Sequence, residues 1–252
     1  MYCPGCGKEI PEGYSGPTCP SCGAAVALQQ AAQPAGIPWE DRSRLGFFPA
    51  LVSTIRLCLA DPTQFFSDLP KRENLGSAIQ YLLLLAWLGG LGGIVWSLVF
   101  RQSQMAVLKS LGFNPPEQSW PAAMRVLFTL VFAVVIPIIV LISTFIWTGI
   151  VHVTLWILGG AKEGYEATLR VYAYARGSTA LFEWIPICGG LVAAIWSLIL
   201  QIIGLSRVHG IGGGKAALAV LLPLALCCLI FAALIAAFFG AIMALIGQSA
   251  SA

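Results

Sequence analysis

The chain has 252 residues, 58% hydrophobic and only 10% charged, with a mean hydropathy of +0.84 and a formal net charge of +3. Soluble domains carry roughly 25% charged and about 45–50% apolar residues, so an ordinary soluble enzyme and a disordered chain are excluded. A charge this small also excludes a basic nucleic-acid-binding face. The expected fold class is an all-α polytopic membrane protein with about five transmembrane helices, behind a small β-rich head at residues 1–26.

The chain opens without a basic start and without an apolar stretch before Cys22. A secretory signal needs both, so the amino terminus is expected to stay in the cytoplasm. Thiols there remain reduced, and paired cysteines read as metal ligands. The head contains Cys3-Pro4-Gly5-Cys6-Gly7 and Cys19-Pro20-Ser21-Cys22-Gly23, with twelve residues between Cys6 and Cys19. Each Cys-x-x-Cys-Gly makes a tight knuckle whose backbone amides face the thiolates. Two knuckles close a tetrahedral tetrathiolate site, and a head this short needs the metal to fold. One structural zinc per chain on Cys3, Cys6, Cys19 and Cys22 is expected. Iron in the same cage and a redox dithiol pair are the alternatives. Four thiolates leave no open position for catalysis.

Residues 27–43 follow, poor in complexity, rich in small residues and carrying Pro34 and Pro38, which reads as a flexible linker. Residues 44–73 change character. Phe48, Leu51, Val52, Ile55 and Leu59 recur at helical spacing, and Asp61-Pro62 stops the helix. Two readings stand. The segment lies in the headgroup layer with Phe65 and Phe66 dipped into it, or the same stripe packs on the chain's own bundle.

The membrane domain is expected over 76–247, with spans near 78–100, 122–158, 167–185, 187–205 and 216–246. Gly89 and Gly93 form a Gly-x-x-x-Gly pattern for close helix packing, and Pro137 is a candidate kink. The third span is the doubtful one, because it carries Arg170, Arg176 and Glu183. Arg42, Arg44, Arg56, Lys71 and Arg72 hold the amino-terminal flank inside by the positive-inside rule. If the doubtful stretch crosses, the loops holding Lys162 and holding Arg207 and Lys215 also fall inside, and the carboxyl terminus outside. If it does not, the Arg207–Lys215 loop lies outside against the rule. Arg101 and Lys109 on the opposite loop weaken the contrast, and five spans is the expectation.

Ionisable groups within a bilayer are costly and raise a functional hypothesis by default. His152, Arg176 and Glu183 are the candidates for an intramembrane polar cluster that water or an ion would enter. The plainer reading has Arg176 snorkelling, Glu183 at the interface beside Trp184, and His152 bonded to backbone. Gly210-Ile211-Gly212-Gly213-Gly214-Lys215 lacks the spacing and hydroxyl of a phosphate loop. No catalytic triad or carboxylate pair presents itself.

Several short motifs carry a resemblance. They are Leu59-Ala60-Asp61-Pro62-Thr63-Gln64-Phe65-Phe66, Leu158-Gly159-Gly160, Ala167-Thr168-Leu169-Arg170-Val171-Tyr172-Ala173-Tyr174-Ala175, Ile185-Pro186-Ile187-Cys188-Gly189-Gly190, Ile195-Trp196, Gly204-Leu205-Ser206-Arg207-Val208-His209-Gly210 and Lys215-Ala216-Ala217. Over roughly residues 45 to 245 the chain resembles the Yip (Ypt-interacting protein) family, of prokaryotic type, with its zinc-ribbon head added. The resemblance implies a five-span helical domain with a cytosolic amino terminus, in a prokaryotic inner membrane. Eukaryotic relatives bind prenylated Rab-type GTPases, but here a cysteine-paired head and linker occupy the corresponding region, and no GTPase-contact motif carries over. The expected function is a non-enzymatic membrane scaffold whose zinc ribbon recruits a cytoplasmic protein. A small oligomeric channel or transporter, with a path near His152, Arg176 and Glu183, is the alternative. The expected partners are the lipid bilayer, an unknown cytoplasmic protein and a second copy of the chain, with no nucleic acid.

Overall fold

A computed structural model describes residues 3, 6–9, 19–23, 36–72, 74–112 and 121–250. The chain divides into two compact units, Met1–Gly36 and Ile37–Ala252. The second unit is helical: α1 (Arg42–Leu45), α2 (Phe47–Ala60), α3 (Pro62–Ser67), α4 (Leu75–Val99), α5 (Arg101–Ser110), α6 (Ala122–Ile157), α7 (Tyr165–Ala180), a 3-10 turn (Leu181–Trp184), α8 (Gly189–Val208) and α9 (Gly213–Ala250). The described residues contain no strand, so the β-rich head is not supported. Most of residues 1–26 lie outside the described residues, as do 27–35 of the expected linker.

Four helices are long and apolar enough to cross a membrane: Leu75–Val99, Val126–Ile157, Gly189–Val208 and Gly213–Gly240. The third expected span is not among them. Its residues form α7, only 16 long, and the 3-10 turn. The physical reason is composition: Arg170, Thr168, Tyr174, Arg176, Ser178 and Thr179 make α7 too polar to face hydrocarbon. Protein covers it instead. α4, α6 and α8 pack along it, with α2 beside them, and Arg170 and Tyr174 are fully buried.

Small residues set these approaches. A Cβ on Gly89 would lie 2.4 Å from the Ala180 carbonyl oxygen, and one on Gly204 would lie 2.5 Å from the Val171 side chain. Successive contacts, Gly177 with Tyr81 and Leu82, Gly89 with Ala180 and Gly92 with Trp184, run α4 and α7 in the same direction. Gly93 takes no part, since a Cβ there meets nothing within 4 Å. The expected Gly89/Gly93 pair is therefore corrected: the helix turns Gly89 and Gly92 toward α7 and the 3-10 turn, and Gly93 toward open space.

Phe65 and Phe66 are also corrected. They are 3% and 1% exposed, and so do not dip into headgroups. Asp61 caps α3 by accepting from the Gln64 amide at 3.2 Å, with Pro62 at the first helical position. That turn aims Phe65 at Tyr174, ring centroids 5.5 Å apart, and Phe66 at the gap left by Gly204. Of the two readings for this stripe, packing on the chain's own bundle holds for these rings.

The expected linker end is packed as well. Ile37 and Trp39 are 1% and 2% exposed. The Trp39 amide donates to Thr54 Oγ1 at 2.9 Å and its indole to the Ser77 carbonyl at 2.8 Å. This places Glu40 where its Oε1 accepts from both the Arg170 guanidinium and the Tyr174 hydroxyl, the latter at 2.7 Å. Burial lifts the Glu40 carboxyl above its ordinary range, against the opposing pull of the Tyr174 hydroxyl and of Arg170.

Removing one partner of a buried ion pair costs about 3–5 kcal/mol, because a charge is left without its counter-ion. Glu40→Gln is expected to destabilise the membrane body by about that much. Adding Arg170→Met should recover part of the loss. Thermal unfolding in detergent micelles checks this, and equal losses in the single and double variants would refute the pairing argument.

Candidate functional site

In the amino-terminal unit the ligand atoms of Cys3, Cys6, Cys19 and Cys22 all lie within 4.8 Å of one another. Cys3 Sγ is 3.7 Å from Cys22 Sγ, and Cys6 Sγ is 3.9 Å from Cys19 Sγ. Four thiolates at about 2.3 Å from a tetrahedral ion have sulfurs about 3.8 Å apart, whereas a disulfide holds them at about 2.05 Å. The arrangement fits a metal cage and not a pair of disulfides. The knuckles explain it: Gly7 and Gly23 take positive φ of 68° and 70°. Their amides then turn back to the Cys3 and Cys19 carbonyls at 2.8 and 2.9 Å. The Ser21 amide points at Cys19 Sγ, 3.4 Å away.

In the membrane body the expected trio separates. Arg176 Nη2 donates to Glu183 Oε1 at 2.6 Å, two turns along α7 and its continuation. His152 is not with them. Its Nδ1 lies 2.8 Å from Thr168 Oγ1, whose other neighbour is His209 Nε2 at 3.0 Å. The correction follows from helix direction. Arg176 lies eight residues, more than two turns, beyond Thr168 on α7, while His152 belongs to the last turns of α6.

The direction of this second network is set by one obligatory donor. The Glu163 backbone N–H donates to His209 Nδ1 at 3.1 Å. A neutral His209 then carries its proton on Nε2 and gives it to Thr168 Oγ1. The Thr168 hydroxyl in turn donates to His152 Nδ1, leaving the His152 proton on Nε2. Four chain segments are thus tied by a hydrogen-bond chain with one sense. Burial, aided by the neighbouring His152 and Lys71, lowers the His209 imidazole to about 4, although Glu163 pulls the other way. Glu163 is itself held below the usual carboxylate range, chiefly by the hydrogen bond from Lys71 Nζ at 2.8 Å. Cys58 is buried, its thiol pushed up to about 12, and it makes a contact of 3.7 Å to the Tyr174 carbonyl.

Sequence reasoning passed over His209, Thr168, Glu40 and Tyr174 as site residues. His209 and Thr168 stood inside resemblance motifs, which was the available signal for them. Glu40 had none, being one of two adjacent acids just after a proline-containing stretch.

A helical bundle with four apolar crossings' worth of surface, and a tetracysteine cluster in a unit of its own, define an integral membrane protein with a candidate metal centre. The family model described as the Yip1 domain matches residues 56–247, and the chain belongs to that family. No curated protein and no solved structure matches the chain.

His209 has a pH consequence. Its folded value lies below the ordinary histidine value of about 6.5. Between the two, the unfolded chain binds a proton that the folded chain refuses, so stability falls as pH drops through the window from about 6.5 to about 4. The thermal midpoint is expected to be lower at pH 5.0 than at 7.5, and His209→Gln should flatten that slope. An unchanged slope in the variant would remove His209 as its source.

Proposed function

We propose that the protein is a non-enzymatic membrane-organising scaffold, with its cysteine head holding one structural zinc and recruiting a cytoplasmic protein. The observation that carries this reading is the tetracysteine cluster, four ligand atoms within 4.8 Å in a unit separate from the helical body. All four donors are protein thiols, so a bound ion has no position left for substrate. The metal would organise a surface rather than perform chemistry, and zinc suits a four-thiolate cage without geometric penalty. Full-length protein purified without added metal should carry one zinc per chain, and Cys6→Ser should lose it. Deleting residues 1–36 should abolish capture of a cytoplasmic protein while the helical body stays folded. Unchanged capture would sink the recruitment reading.

For topology we propose five crossings, with the amino terminus in the cytoplasm and the carboxyl terminus outside. α7 and its 3-10 turn would make the third crossing, sheathed by α4, α6 and α8. Supporting this, α7 runs antiparallel to α8 along its length, from Thr168 beside His209, through Val171 beside Gly204, to Phe182 beside Gly189. The crossing would then keep the Arg207–Lys215 loop inside, in accord with its charge. A reporter fused at the carboxyl terminus should be active only in its periplasmic form. Cytoplasmic activity would leave four crossings.

A further inference from the structure

A crevice of about 490 Å³ opens between α4 and α6, within the size of small-molecule sites, about 300–1,000 Å³. Ile94 on one side and Phe128, Phe132 and Ile136 on the other make its walls largely apolar, while Arg176 and Glu183, with the hydroxyls of Ser97 and Thr129, supply the polar lining. Phe128 and Phe132 are 60% and 47% exposed. They sit on α6, the candidate span least covered by protein. Its mouth therefore faces hydrocarbon, and an apolar chain enters it without losing water contacts it would otherwise keep.

The polar lining narrows the ligand further. Arg176 and Glu183 neutralise one another, so a charged headgroup gains little net attraction there. The guanidinium nevertheless has donors to spare. Arg176 Nη1 is buried without an acceptor in the protein, while the rest of the side chain lines the crevice and keeps 30% of its exposure. A neutral carbonyl oxygen meets that need without unbalancing the pair.

We propose that this crevice binds one acyl chain of a glycerolipid, with the ester carbonyl accepting a hydrogen bond from the Arg176 guanidinium. The bound lipid gives the membrane body a recognition function of its own, independent of the head and its metal.

The test is native mass spectrometry of the full chain in detergent, titrated with dioleoyl phosphatidylglycerol and with its diether analogue, which lacks the ester carbonyls. Gly93→Trp is the informative variant. A Cβ at that position meets nothing within 4 Å, and Gly93 lines the crevice, so the indole fills it without displacing backbone. Wild type should retain one diester lipid per chain and bind the diether at least three-fold more weakly. The variant should bind the diester at least ten-fold more weakly while its circular dichroism matches wild type. Gly93→Leu, run in parallel, is held to the same ten-fold criterion if the larger side chain prevents folding. Undiminished retention in the folded variant overturns the site. Equal binding of diester and diether overturns the carbonyl anchor.

Discussion

Arg170 is a fully buried cation on a helix surrounded by other helices, and its carboxylate partner comes from Glu40, 130 residues earlier in the chain. An unpaired guanidinium in that position would be prohibitive, so the segment carrying Glu40 must be in place for the bundle to close. This requirement orders the rest. Trp39 is clamped between Thr54 and Ser77, α2 folds down against α7 and α3 against α8, and Phe66 fills the notch left by Gly204. The membrane body is accordingly built outward from a polar central helix, inverting the soluble arrangement in which polar helices face the solvent.

That inversion explains where the glycines and small side chains lie. A polar helix shielded from lipid by several neighbours needs each of them close, and Gly89, Gly92, Gly177 and Gly204 sit at the contacts. Without a hydrophobic driving force between helices in lipid, close van der Waals approach and polar pairs supply the association. The His209–Thr168–His152 chain does the same in the first turn of α7, two residues before Arg170, joining α6, α7 and the loop before α7 to the turn after α8. The two polar networks lie close together on one short helix and anchor it from Thr168 to Tyr174.

The unit ahead of Gly36 follows different physics. Its cysteines are gathered by two knuckles, each turned by a glycine at positive φ. The geometry is local, complete within five residues per knuckle, and was legible from spacing alone. The same is true of α4, α6, α8 and α9, whose long uncharged runs dictate crossing helices wherever they occur. Family membership was legible too, since short motifs scattered from Leu59 to Ala217 need no contact information to be seen.

The sequence by itself determined the two cysteine knuckles, the four long apolar helices and the class of protein, because each depends on neighbours close in the chain. Only the tertiary structure decided the fate of α7, the burial of Phe65 and Phe66, the separation of His152 from Arg176 and Glu183, and the capture of Arg170 by Glu40. Helical periodicity says that a stripe is apolar, and not whether lipid or another helix will cover it. Phe65 and Phe66 fit either environment, and Gly204 with Tyr174 settled which one. Charge partners 130 residues apart leave no spacing to read, and their pairing is a property of the closed bundle alone.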